Sequence, residues 1–351
     1  MNRLVASLCL APLLVACGVK SPDGERESRY EVRVATPGSP RAVDERNWER
    51  FVANVGVWAP EFHVELLPPG KEGATGNSPL EDARSGLIQI AGLSLADVAD
   101  VVPEVAILSA PYLFDSQEEA DYLLDEVLLE PFRRLFAESD LRLLQWVDVG
   151  WVHLYAREPM LEPGQMKGAR MAAAPSVTSQ AFVQSLSAEL VPLPSHDLLS
   201  GLGSAAIDGG LTTVEHYAAG KLASEAPNYV LSGHALDVGM LVANRAWFHA
   251  LTPHDKGVFE EAFDSAGEAR ADTRRATAEA VARLEAEGVT VHRLSPEQRR
   301  AWAAASKEAQ SGVVARAGGR SQEIYDLVLA GKAAYAAQAQ SGPDAQREGL
   351  R

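Results

Sequence analysis

The chain has 351 residues, 46% of them hydrophobic, with 32 basic and 48 acidic side chains and a formal charge of −16. This length suits about two domains, and the apolar content excludes a largely disordered chain. The acidic balance argues against nucleic acid as a partner, and two cysteines exclude both a disulfide scaffold and a Cys-rich metal site.

Arg3 precedes an apolar run of about a dozen residues ending at Ala16, signal-peptide length and too short to span a bilayer. Its end, Leu14-Val15-Ala16-Cys17, resembles the bacterial lipobox. The resemblance implies cleavage before Cys17 and a lipid thioether on that thiol; the alternative is an ordinary signal peptide with a chance cysteine. Gly18 in place of Asp favours the inner leaflet of the outer membrane, on the periplasmic side. Cleavage would remove Cys9 and leave no free thiol, so cysteine nucleophile and redox chemistry drop out together. Residues 17–29 read as a polar, flexible tether, and residues 338–351 as a flexible tail.

Tyr30, Val32 and Val34 alternate with polar neighbours as a first strand, and Trp48, Phe51, Val52 and Val55 follow at helical spacing. Phe62, Val64 and Leu66 form a second strand, and residues 87–93 a third after a helix around residues 80–85. Strands alternating with helices imply right-handed βαβ units and a parallel sheet. Ser116-Gln117-Glu118-Glu119 reads as a capping box that opens a helix carrying Tyr122, Leu123, Val127 and Leu128. Residues 143–155 are extended and aromatic, longer than one compact strand needs, and Val191-Pro192 ends another strand. Thr252-Pro253-His254-Asp255 supplies a helix start, and the helical pattern runs to Gly288, about 45 Å, enough to cross two domains. Residues 289–294 make a short strand, Ser295 caps a helix, and Ser321 caps the last one, which holds Ile324, Leu327 and Val328.

No catalytic kit is visible. Gly201-Leu202-Gly203-Ser204-Ala205-Ala206 fits the loose GxGxxA pattern, but a helix-like stretch separates it from the preceding strand, so the match is accidental and no cofactor is expected. Ser195-His196-Asp197 are consecutive and diverge, so they cap a helix rather than form a relay. The eight histidines show no zinc spacing, and no metal is expected. An envelope-facing α/β protein of two lobes without catalytic residues matches what a solute-binding protein requires.

At residues 103–119, Pro-Glu-Val-Ala-Ile-Leu-Ser-Ala-Pro-Tyr-Leu-Phe-Asp-Ser-Gln-Glu-Glu, the chain resembles the substrate-binding subunits of TRAP transporters, the DctP-type family. Lys167-Gly168-Ala169-Arg170-Met171 resembles the family's K-G-x-K-[IMV]-R core, and Val191-Pro192-Leu193-Pro194 with Ile207-Asp208-Gly209 its following stretch. Pro227-Asn228-Tyr229-Val230, His234, Asn244 and Trp247 resemble its return segment. The matches are collinear from about Tyr30 to Ala337. The resemblance implies a two-lobed type II periplasmic-binding fold, with discontinuous lobes and one long helix shared between them. One lobe is expected from residues 30–149 plus about 240–254, the other from 150–239 plus about 255–337.

Two family anchors are missing. The Arg that grips a substrate carboxylate falls on Ala172, and the Asn that assists it falls on Thr212. Arg170 shares a strand face with Ala172; it either reaches the cleft or fills the family's Lys position. Tyr112, Trp151, Ser176 and Thr212 are candidate ligand contacts, with Ala172 contributing space and Asn77 in a polar loop. Core packing is the competing reading for Tyr112 and Trp151, and an exposed loop residue for Asn77. The expectation is a non-enzymatic binding protein for a small neutral or partly apolar organic ligand, working with TRAP membrane subunits. The alternative is a sensor or apolar-ligand shuttle on the same scaffold, uncoupled from transport.

Overall fold

The computed structural model describes residues 30–37, 42–67 and 77–341. The signal peptide, Cys17, the tether and the end of the tail lie outside the described residues.

The chain begins with β1 (Tyr30–Ala35), α1 (Ala42–Trp58), β2 (Phe62–Leu67), α2 (Pro79–Ser85), β3 (Ile90–Ser94) and α3 (Leu95–Val98). A 3₁₀ stretch, Pro103–Ser109, leads to α4 (Gln117–Tyr122), a π-helical segment (Leu123–Leu128) and α5 (Leu129–Ala137). Then come β4 (Leu141–Ala156), β5 (Arg170–Ala172), α6 (Val177–Ser185), β6 (Glu189–Val191), α7 (Leu198–Gly203), β7 (Gly209–Thr212) and α8 (Val214–Ala219). The chain returns through β8 (Asn228–Asn244), α9 (Arg245–Ala250), α10 (Pro253–Glu261), α11 (Glu268–Ala286) and β9 (Thr290–Arg293). It ends in α12 (Pro296–Ala305), α13 (Lys307–Ala317) and α14 (Ser321–Ser341).

The sheet order is β2-β1-β3-β8-β4-β7-β5-β6, with β9 beside β8. β1 runs parallel to β2 and β3, and β5 runs parallel to β6 and β7. The expected parallel units are present, one at each end, and the antiparallel pair β4 and β8 joins them. β4, of 16 residues, is the long segment that the aromatic stretch predicted, and β8, of 17 residues, runs antiparallel beside it. Their register shifts between Asp148 and Gly150 and again between Val152 and Leu154. Gly150 (φ 124) and Gly233 (φ 50) sit at these irregular points, in backbone regions that side chains other than glycine rarely adopt.

Hydrophobic cores flank each end. Val34, Phe51, Phe62 and Phe259 pack on one side of the first parallel unit, and Ile107, Phe114, Phe132 and Trp146 form the cluster beside it. Tyr155, Ile207, Tyr217 and Tyr229 serve the second unit, with Met171, Phe182 and Trp302 in a further cluster. This is the two-lobed α/β arrangement.

The structure corrects several local expectations. The pattern from Thr252 to Gly288 is two helices: α10 stops at Glu261, and Ala266 (φ 53) and Gly267 (φ 74) turn the chain before α11. Asp264 Oδ1 accepts from the amides of Ala269 (2.8 Å) and Arg270 (3.2 Å), meeting donors that a helix start leaves unpaired. α11, about 28 Å long, still bridges the molecule: Arg50 of α1 pairs with its Asp272, and Glu215 of α8 accepts from its Thr277.

Ser116 caps α4 by accepting from the Glu119 amide at 3.1 Å, but the Glu119 carboxylate pairs with Lys332 on α14 instead of closing the box. The helix then widens to π geometry before Pro131, which has no amide hydrogen to offer Val127. Ser295 closes a full capping box. Ser321 is the first residue of α14 rather than its cap, and its buried hydroxyl has no partner among the described residues. Asp197 sits at the start of α7 without a side-chain cap, and His196 lies 3.6 Å from it on the surface. Gly201 and Gly203 are inside α7, where no phosphate cradle exists. α14 reaches Ser341, into the stretch expected to be a tail.

Candidate ligand cleft

Strand register locates the site. β3 ends at Ser94, opposite Gly239 of β8, which in turn faces Val147 of β4. β7 ends at Thr212, opposite His153 of β4. The carboxyl ends of both parallel units therefore face one interval of the crossing strands. From Val147 to His153 that interval is about 20 Å at roughly 3.3 Å per residue. Ligands in parallel sheets bind beyond strand carboxyl ends. Here two such edges look at each other across a shared floor.

The floor is braced from both sides. Asp148 is buried beneath α11 and α4, pairing with Arg274 at 2.8 Å and accepting from Gln117 at 3.2 Å. Desolvation lifts its pKa, and Arg274 opposes the shift. Arg299 on α12 donates to the carbonyl oxygens of Ser232 (3.1 Å), Gly233 (3.3 Å) and Phe114 (3.2 Å). Its guanidinium also lies 5.2 Å from the ring centre of Tyr112.

Four of the sequence candidates lie at or beside this interval. Tyr112 donates its amide to the His234 carbonyl oxygen at 2.7 Å and holds a strained φ of 51. Its hydroxyl is buried without a partner among the described residues, and burial pushes its pKa up. Trp151 is half-buried on β4 within the interval and lies beside Gly233. Thr212 ends β7, and its carbonyl oxygen accepts from the Tyr229 hydroxyl at 3.3 Å. Ser176 follows the end of β5 and caps α6, accepting from the Ser179 amide at 3.0 Å.

The remaining candidates lie differently. Arg170 begins β5, at the end away from the cleft, and its guanidinium grips Asp208 through Nη2 (2.7 Å) and Nε (3.2 Å). That bond raises the Arg170 pKa and lowers that of Asp208. Ala172 ends β5, but it is fully buried in the cluster of Tyr155, Tyr217 and Tyr229 and opens no space. A side chain on Gly210 would collide with the Tyr155 phenol, so it is the bare glycine that lets this ring lie beside Ala172. Asn77 is exposed, with its amide 3.2 Å from Asp82, next to residues outside the described set.

His153 and Arg299 were not legible as site residues. A glycine inside each long extended stretch, Gly150 and Gly233, was the available signal, because such glycines mark bulges and close approaches. Among the described residues, no group of three acidic, His or Cys side chains could hold a metal, and no helix is long and apolar enough to cross a membrane.

Comparison with known proteins agrees with this architecture. The model of the family described as bacterial extracellular solute-binding protein, family 7 (DctP), matches residues 59–316. The ectoine-binding periplasmic protein TeaA of Halomonas elongata is 23% identical over 255 residues, 70% of this chain and 74% of that protein. A TRAP periplasmic solute-binding protein from Ochrobactrum anthropi superposes with a TM-score of 0.80 at 21% identity, covering 90% of this chain and 98% of that one. The apo structure of TeaA superposes with a TM-score of 0.78 at 22% identity, covering 86% and 99%.

Proposed function

The chain belongs to family 7 of the bacterial extracellular solute-binding proteins, the DctP family of TRAP transporters, and we propose that it is a lipid-anchored member that captures a small neutral or partly apolar organic solute. Members of the family are binding proteins rather than enzymes: they take up small molecules outside the cytoplasm and work with TRAP membrane subunits. In this reading the lobes close over the solute and hand it to those subunits, and the acylated Cys17 holds the protein at a membrane facing the periplasm, the inner leaflet of the outer membrane being favoured.

The observation that supports the ligand class is the fate of the two β5 positions. Ala172, the position that the motif resemblance assigns to a carboxylate-gripping Arg, is buried in one cluster with Tyr155. Arg170, the neighbouring cation, is committed to Asp208 at the far end of the strand. A carboxylate entering the cleft from this side would lose water without gaining a guanidinium, and that exchange is unfavourable. TeaA is named for binding ectoine; for this chain a small solute without a carboxylate fits the reading. Tyr112, Trp151, Ser176 and Thr212 are the proposed contacts.

Small-angle scattering of the purified protein tests the binding reading: a solute that binds should shrink the radius of gyration, and no contraction with any solute would count against it. Membrane fractionation tests the anchor, because Cys17→Ala should move the protein to the soluble fraction. An unchanged distribution would leave an ordinary signal peptide as the better account.

A further inference from the structure

His153 lies on β4 directly opposite Thr212, the last residue of β7. Paired residues of antiparallel strands put their side chains on the same face, about 5 Å apart. The cleft edge thus carries an imidazole beside a threonine. The Nδ1 atom of His153 accepts the Gly233 amide proton at 2.9 Å. An accepting Nδ1 bears no proton, so in the neutral ring the proton sits on Nε2. Nε2 has no hydrogen-bond partner among the described residues, and the residue as a whole is intermediate in burial.

The surroundings keep the ring in this state. Tyr229 meets it edge-on at 5.6 Å, and Gly233 packs Trp151, His153 and Arg299 around one point. Burial, reinforced by the Arg299 charge, holds the imidazole pKa down to about 3. The guanidinium itself is engaged by three backbone carbonyl oxygens, which fix it to the strand crossing. This edge therefore holds one fixed, uncharged N–H donor beside the Tyr229 ring and paired with Thr212.

Resting on the solute-binding reading above, we propose that His153 is a ligand-binding residue whose Nε2–H donates to a neutral oxygen acceptor of the solute, an amide, ketone or hydroxyl. A neutral donor matches such an oxygen at little desolvation cost. A carboxylate would exchange its hydration shell for one weak partner, and binding would suffer accordingly.

The test uses two acid–amide pairs of matched shape, succinate with succinamide and D-glucuronate with D-glucuronamide, measured by calorimetry and thermal shift. The variant is His153→Asn, whose side-chain oxygen can still accept from the Gly233 amide while the outer donor is lost. The expected result is that an amide binds more tightly than its acid, and that the variant loses about tenfold or more in affinity with an unchanged melting temperature in the unliganded protein. Tighter binding of either acid, no binding of either amide, or full affinity in the variant each overturns the assignment. If scattering still shows contraction with some other solute, the binding reading stands and only the role of His153 falls. Should the variant fold poorly, the ¹⁵N shifts of His153 in the wild-type protein give a second measurement. A protonated Nε2 whose resonance moves with succinamide supports the assignment, and an Nδ1–H tautomer overturns it.

Discussion

The guanidinium of Arg299, borne on α12, donates to the carbonyl oxygen of Phe114 at 3.2 Å. Phe114 belongs to the core around the first parallel unit, and Trp302, one turn beyond Arg299, belongs to a core of the second. One side chain therefore fastens the two ends of the molecule while also holding the β8 bend at Ser232 and Gly233. Replacing Arg299 with Ala leaves three carbonyl oxygens without this donor and should cost about 2–3 kcal/mol in urea denaturation. Arg299→Lys, with no fork, should recover less than half. A stability within about 0.5 kcal/mol of wild type in the Ala variant would show that the brace is idle.

His234 should make the fold sensitive to mild acid. It is buried flat against Phe182, with ring centres 4.2 Å apart, and Ser232 Oγ lies 2.8 Å from Nδ1. Burial, then the nearby His153 and Arg299, hold its pKa down to about 3. The unfolded chain takes up a proton near pH 6.5, whereas the folded one stays neutral far below that. Below about pH 6.5 the unfolded state therefore binds more protons, and stability falls as pH falls, by up to about 1.4 kcal/mol per pH unit for such a group. His153 acts with the same sign. The carboxyls of Asp208 and Asp272, held low by Arg170 and Arg50, lose their contribution only in stronger acid. Asp148, raised by burial, works in the opposite direction. Urea midpoints at pH 7.5, 6.0 and 5.0 should descend, and His234→Gln should flatten part of the slope. A level profile would contradict the burial of neutral imidazoles.

Two glycines should respond to alanine in opposite ways. At Gly210 a methyl group would meet the Tyr155 phenol and stand 2.6 Å from the Ala172 carbonyl oxygen, a backbone atom that cannot swing aside. Gly210→Ala should destabilise by about 3 kcal/mol or prevent folding. Gly257, inside α10, has open space around its added carbon. Gly257→Ala should stabilise by about 0.5–1 kcal/mol, through helix propensity and a less mobile unfolded chain. Equal effects at the two sites, read from thermal melts, would rule out the packing described around β7.

Arg170→Ala should leave solute binding alone. Its pair with Asp208 is more than one-third exposed on both sides, at 39% and 36%, so the loss in stability should stay within about 1 kcal/mol. Calorimetry with any solute shown to bind should return the wild-type affinity. A collapse of binding would mean that the arginine leaves Asp208 and reaches the cleft.

β4 was legible because residues 143–155 are extended and aromatic for longer than one compact strand needs, whereas β8 was met only as the return segment of the family resemblance. The capping of α12 was legible because Ser295-Pro296-Glu297-Gln298 places donor and acceptor at fixed offsets that need no tertiary partner. The break before α11 was missed because apolar residues continue at helical spacing through Phe259, Ala262, Phe263 and Ala269. The run Asp264-Ser265-Ala266-Gly267 carried the turn chemistry that overrides that spacing. That Ala172 is a filled position was not legible, because the Tyr155 ring reaches it only across Gly210 of a third strand. The donor on His153 was out of reach for a similar reason: its free nitrogen is defined by an amide 80 positions away in sequence.

β4 and β8 each supply side chains to the cores at both ends, Leu144 and Leu241 to one and Tyr155 and Tyr229 to the other. Of these two strands, β3 pairs only with the returning β8 and β7 only with the outgoing β4. Neither half is thus an autonomous gene-level module. A truncated polypeptide stopping after α8 lacks the strand against which β3 must zip, and one starting there lacks the partner of β8. Separately produced pieces should regain order only on mixing, as complementing fragments, and tandem recombination between relatives would have to exchange the crossing pair together.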